Sequence, residues 1–453
     1  MNGFEHEKIT TSNLPETWLE GNTLQELESF LQENWEQRSI FYSDQEITSR
    51  QQFIDFDVRN GIKLKNYIGT IIYKGEQLNI FPKVFMEDDN DFDKSFLDTN
   101  VLIDNLVVWL GYCDRLNFPF VSMKGEFHNS SNLLELFITV YIHYVKSAFE
   151  HQRFFRYEEV SEIGSMVKGK IDFTDYVTKR YPYGNFAEMK YTYSSFVFDN
   201  ALNRIIKSTC RFLYSITTNE ASKVILRDLI MRLSDVKTIH AQPYDCDKIS
   251  LSHLHSRYRV ILSMSKMFLL NASSNNMGHS DTFCFLFPAE LLFEGFIGGF
   301  LKEAFSSDAR IRTQTSDQYL AELIVNGEVV GNTFNLREDI LIESETGIVI
   351  LDTKYKSIER FEKIMENRKL DISDNDMKQM AIYAAKRNAK RLYLLFPLRS
   401  NEEPETIDIR YDIKLDEDKK VIPLIILKVP FVFDENVEQQ KRLLRDILKD
   451  VVH

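Results

Sequence analysis

The spacing of apolar and polar residues changes twice along the chain. A helical entry, Thr23–Glu36, is followed by short alternating runs. Ile62-Lys63-Leu64-Lys65 and Ile68–Tyr73 read as strands, and Lys74-Gly75-Glu76 turns into a further strand, Gln77–Lys83. The acidic run Glu87–Asp91 reads as a solvated loop, and Phe96–Trp109 as a helix. From about residue 130 the period becomes helical. Leu133, Leu136, Phe137, Val140, Tyr141 and Tyr144 share one face, as do Ala201, Ile205, Ile206, Cys210 and Leu213. A β-like insert, Val167–Phe173, interrupts this region. The long apolar stretch Phe283–Leu301 reads as a buried helix, since Pro288, Glu290 and Glu294 argue against a membrane span. Helix Glu290–Phe305, strand Tyr319–Val325, a hairpin around residues 336–354, helix Asp374–Lys386, strands Arg391–Phe396, Thr406–Lys414 and Val421–Val429, and helix Glu435–Asp450 complete the order. The fold class is multidomain α+β. A β-rich region spans 1–128, a mainly helical region 129–278, and an α/β domain 279–453.

The hairpin carries the chemistry. Ile340-Leu341-Ile342 and Ile348–Leu351 are strand-like, and Ser344–Gly347 fits a four-residue loop. If Glu343 pairs with Ile348, Asp339 stands opposite Asp352, on the same face as Lys354 two residues on. Two carboxylates able to share a divalent cation, beside an ammonium group, are the parts of a metal-dependent phosphodiesterase site. Similar triplets elsewhere, such as Glu188-Met189-Lys190 and Asp412-Ile413-Lys414, read as surface charge. Glu294, inside an apolar helix, is either a third acid of the metal shell or part of an exposed stripe. Gln379 and Tyr383, four residues apart, share a helix face and either brace the site or touch DNA. Lys356 faces the same way as Lys354.

Composition narrows the setting. The chain has 453 residues, 43% hydrophobic, with only 17 Gly and 10 Pro, so long disordered linkers are not expected. Its four cysteines show neither zinc-ligand nor disulfide spacing, and His253-Leu254-His255 lacks a third ligand. Met1–Trp18 has no signal-peptide core, and a soluble cytoplasmic protein is expected. A net charge of −13 disfavours unaided, tight DNA binding. Local basic clusters such as Lys386–Arg391 suit either DNA contact or a solvated helix end.

Asp339…Asp352-Thr353-Lys354, with Glu294 upstream and Gln379-x-x-x-Tyr383 downstream, resembles the PD-(D/E)xK nuclease core, with Glu338 in place of the eponymous proline. Asn66-Tyr67-Ile68-Gly69 with Leu78–Lys83, Val167–Asp172 and Asp199–Lys207 narrow the likeness to the McrC family. Lys168 replaces the arginine of that family's mid-chain element. The resemblance implies a Mg²⁺- or Mn²⁺-dependent DNA endonuclease subunit. Its metal would be held by Asp339, Asp352, the Thr353 backbone carbonyl and, in one reading, Glu294. It also implies a McrB-like AAA+ GTPase partner that reads modified double-stranded DNA and docks the N-terminal region. The absence of a GxxxxGK[ST] loop agrees. A chain ending near residue 275 is then expected to keep motor docking. The rival readings are a stand-alone or repair nuclease, and a non-enzymatic adaptor of an AAA+ ring.

Overall fold

In the computed structural model the described residues are 1–36, 53–57, 61–86, 99–113, 133–166, 168–252, 255–274, 283–356, 369–370, 372–400, 402, 409–414, 421–433 and 437–452. The acidic run at 87–91, Val167, and His253-Leu254 lie outside them. Two compact units result, one of residues 1–133 with 282–453 and one of residues 134–281.

The first unit begins with a small sheet of β2 (Lys8–Ile9), β4 (Gly61–Leu64) and β3 (Ile54–Asp57), in that order. A second sheet runs β1 (Asn2–Phe4), β6 (Glu76–Phe81), β5 (Tyr67–Tyr73), β10 (Phe283–Pro288). Helix α1 (Thr23–Glu36) contributes Leu27, Phe30 and Leu31 to a core shared with Trp18, Ile62 and Ile71. The indole of Trp18 donates to the Tyr73 carbonyl at 3.1 Å.

The stretch Phe283–Leu301 departs from its expected helical form. Phe283–Pro288 is a strand paired antiparallel with β5, and the remainder forms helix α7 (Ala289–Ala304), within one residue of the helix expected at Glu290–Phe305. A short run that is apolar on both faces suits a fully covered strand as well as a helix. Pro288, at φ −63°, has no amide hydrogen to give and stands at the helix N-cap.

The C-terminal sheet has the order β11 (Arg310–Val325), β12 (Glu328–Ser344), β13 (Gly347–Thr353), β14 (Arg391–Pro397), β16 (Val421–Val429), β15 (Ile409–Lys414). Strands β13, β14 and β16 are parallel neighbours, and helix α8 (Asp374–Arg387) makes the crossover from β13 to β14. Met380, Tyr383 and Ala384 of α8 pack on Leu341, Ile350, Leu392 and Leu394. Helix α9 (Val437–Val452) follows β16 and buries Leu444, Leu448 and Val451.

Helix α2 (Thr99–Tyr112) ties early and late segments of this unit together. Its Trp109 indole donates to the Phe431 carbonyl at 2.7 Å, and Asn105 exchanges two hydrogen bonds of 2.7 Å with Phe433. Helix α7 (Ala289–Ala304) lies so close to α2 that a Cβ on Gly299 would collide with the Tyr112 carbonyl oxygen, and one on Gly295 would stand 2.7 Å from Cys113 Sγ. Only glycine permits that approach at position 299.

The second unit is mainly helical, with α3 (Leu133–His151), α4 (Ala201–Ile216), α5 (Glu220–Arg232) and α6 (Ser256–Ser274). The expected β-like insert is only the short edge β8 (Lys170–Ile171) of a larger sheet, whose body is β7 (Arg156–Gly164) and β9 (Met189–Val197). Asn200 caps α4 by accepting from the Asn203 amide at 3.1 Å, and Asp199 pairs with Arg204 at 2.7 Å. These contacts give the Asp199–Lys207 motif a structural role. Among the described residues no helix is long and apolar enough to cross a membrane.

Candidate active site

The register of the β12–β13 hairpin agrees with the sequence reading: Glu343 pairs with Ile348, and the ladder runs to Ile340 opposite Leu351. The turn is tighter than expected, with Ser344 opposite Gly347 and only Glu345-Thr346 between them. One step past the last pair, Asp339 turns its side chain to the end of β13. Its Oδ2 accepts from the Thr353 amide at 2.9 Å and the Thr353 hydroxyl at 3.0 Å.

Asp352 is 2% exposed. Lys354 Nζ lies 2.7 Å from its Oδ2 and 3.2 Å from Asp376 Oδ1. That buried oxygen is ion-paired to Lys354 and meets no other hydrogen-bond donor among the described residues. The acids repel one another. Burial, and then the charge of Asp339, push Asp352 up to about 7 against the pull of Lys354. Burial raises Asp339 too, with the Thr353 bonds opposing it. Asp339 nonetheless keeps part of its accessible surface, so it is an enclosed but not a sealed group. Burial alone would lower the Lys354 ammonium, but Asp352 and Asp376 outweigh it and hold it above its ordinary value.

Glu294 does not lie on an exposed stripe. Burial and then Asp339 and Asp352 raise its carboxyl well above the usual range, and Gln314 bridges it to Asp339. Gly298 lets α7 deliver Glu294 here: a Cβ at that position would stand 2.7 Å from Thr313 of β11. Gln379 donates to Tyr383 at 2.7 Å, and the Tyr383 hydroxyl donates to the Arg337 carbonyl. This pair therefore braces the strand that carries Asp339. Lys356 reaches Asp376 at 3.2 Å.

Sequence reasoning missed Gln314 and Asp376. Gln314 sits at φ +51°, beside an irregularity in the β11–β12 register, and no local pattern marks it. Asp376 could have been noticed as the third helical residue of a capping box with Ser373. Burial would raise its carboxyl, but Lys354 and Ser373 bring it down to about 2.

The donors fit a hard divalent cation. Carboxylate oxygens face one another at a strand end, and Asp352 Oδ2 meets no donor besides Lys354 among the described residues, which leaves a place for a cation. Among the described residues no three His, Cys, Asp or Glu side chains close around one point. A cation here would therefore complete its shell with water or phosphate oxygens, as Mg²⁺ commonly does.

Fold and site together define a mixed α+β protein with an acid–acid–lysine cluster at a strand end of a mixed sheet. The McrBC 5-methylcytosine restriction system component family matches residues 62–397, and the chain belongs to that family. The fold is shared with a chain of the refined half-complex from the tetradecameric assembly of Thermococcus gammatolerans McrB AAA+ hexamers with bound McrC. That likeness has a TM-score of 0.61 at 18% identity and covers 99% of both chains. A cryo-EM structure of the Thermococcus gammatolerans McrBC complex matches at TM-score 0.46 and 20% identity, over 69% of this chain and 89% of that one. Curated proteins give no match.

Proposed function

We propose that this chain is the McrC-type, Mg²⁺-dependent DNA endonuclease subunit of a restriction system, and that its C-terminal sheet is a PD-(D/E)xK core. The observation that carries the proposal is Asp352. It is a buried acid with an oxygen that meets no donor besides Lys354 among the described residues, placed between Asp339 and Lys354 in a chain of the McrBC family. Asp339, Asp352 and the Thr353 carbonyl, with Glu294 nearby, are the groups that would hold Mg²⁺, or Mn²⁺ in its place. When bound, the cation polarises the scissile phosphate and acidifies a water molecule.

The remaining steps belong to the chain's own side chains. Lys354, cationic between two carboxylates, orients the attacking water and faces the charge that develops on phosphorus. Asp376 keeps that ammonium charged. Gln379 and Tyr383 fix β12, and Lys356 is placed to meet a backbone phosphate once it leaves Asp376. The partner in this reading is a McrB-like AAA+ GTPase in the cytoplasm, which recognises modified double-stranded DNA and whose hydrolysis the chain stimulates. The net charge of −13 supports a division of labour in which the partner holds the DNA.

The test is cleavage of modified DNA with Mg²⁺, in the presence and absence of the AAA+ partner. Asp352→Ala and Lys354→Ala are each expected to cut at least roughly 10²-fold more slowly than wild type. Full cleavage by a folded Asp352→Ala chain would refute the site. Efficient cutting without the partner would favour a stand-alone nuclease.

A further inference from the structure

Tyr355 follows Lys354 directly, yet its side chain belongs to a different network. Its ring is 7% exposed, and its hydroxyl donates to Glu5 Oε1 at 2.7 Å. Glu5 follows strand β1 and is 2% exposed. The same oxygen accepts from the Lys83 amide at 2.7 Å, and Lys83 Nζ reaches back to the Tyr355 carbonyl at 3.4 Å and over its ring at 5.1 Å. The ring also meets Phe293, the neighbour of Glu294, at 6.1 Å between centroids. A buried carboxylate is costly to keep, and an apolar pair would join these strands without that cost.

We infer that Glu5 and Lys83 are positioning residues for Lys354, acting through Tyr355, so that the N-terminal sheet sets the geometry of the cleavage site. This rests on the nuclease reading for its consequence in catalysis, though not for its geometry. A hydroxyl clamped at 2.7 Å by a carboxylate that is itself held by the backbone leaves the Tyr355 main chain little freedom. The Lys354 amide is fixed next to it, donating to the Leu395 carbonyl at 2.8 Å. Loss of the clamp frees the lysine to shift relative to Asp352, and a shift of about 1 Å can cost about 10²-fold in rate.

The experiment uses the full chain and the variants Tyr355→Phe, Glu5→Ala and Glu5→Gln. It reads melting temperature, DNA cleavage with the AAA+ partner and Mg²⁺, and trace acetylation of Lys354 by acetic anhydride followed by mass spectrometry. Tyr355→Phe and Glu5→Ala are expected to lower kcat by roughly ten-fold or more at unchanged KM. Both should raise Lys354 acetylation severalfold while leaving that of Lys223 unchanged. Glu5→Gln, which keeps an acceptor oxygen, should recover most of both. Unchanged acetylation, or altered acetylation with wild-type cleavage, would overturn the inference. If the wild-type chain cuts no DNA under any condition, the nuclease reading fails, and the acetylation of Lys354 alone decides the positioning role.

Discussion

Asp352 is held in a setting that disfavours its own charge, because burial and Asp339 both favour the protonated acid. Replacing it should therefore separate stability from activity. Asp352→Asn is expected to melt at or above the wild-type temperature while losing cleavage. Millimolar Mg²⁺ should raise the melting temperature of the wild type and leave that of Asp352→Asn unchanged, as followed by calorimetry. Glu5 offers a prediction in pH. Burial, opposed by Lys83 and Tyr355, raises its carboxyl from 4.5 to about 6. The folded chain thus prefers Glu5 protonated. Its contribution to stability is complete below pH 4.5 and is lost as pH rises through about 6, a change of about 2 kcal/mol. Denaturant unfolding of wild type against Glu5→Gln should show this difference over that window, and a constant difference across it would refute the assignment. At this scale Asp339, Asp352 and Lys354 could be read from strand alternation alone. Gln314 could not, since it depends on a left-handed residue in a bulged edge strand.

Among the elements, β12 and α8 are joined by a buried ion pair. Glu338 is fully buried and accepts from Arg387 Nε at 2.9 Å and from its terminal nitrogen at 3.1 Å. Glu338 thus anchors the helix carrying Gln379 and Tyr383. Glu338→Ala would leave the Arg387 guanidinium with Asp317, a half-exposed carboxylate, as its remaining acidic partner and is expected to cost about 2 kcal/mol in unfolding free energy. A loss under 1 kcal/mol would show the pair to be solvated. The hairpin was legible because strand alternation and turn residues coincide there. Strand β10 was not, because Phe-Cys-Phe-Leu-Phe-Pro runs into an equally apolar helix without a change of composition. Strands β7 and β9 were missed for the opposite reason: Tyr157, Ile163 and Phe196 leave large apolar surfaces exposed, so neither strand shows one dry face.

For the molecule as a whole, the order of its motifs was enough to identify the family, while the pairing of its two ends was invisible. Contacts such as Trp109 with Phe431 and Glu5 with Tyr355 join residues hundreds of positions apart, and no local period records them. If the partner reading holds, Asp339→Ala should abolish cleavage yet leave stimulation of the partner's GTPase intact, as measured by phosphate release. Loss of both together would make the two activities inseparable. The edge of β5 sets a constraint of another kind. One side of β5 meets β6 at once, but the other waits for β10, and every residue from Tyr73 to Phe283 must leave the ribosome first. Until then a buried, apolar strand carries an open row of amides and carbonyls, the usual template for association between nascent chains. A chain stopped near residue 275 never closes that edge. The fragment expected from sequence to dock the motor would thus emerge sticky, and adding back the missing strand is the way to make it soluble.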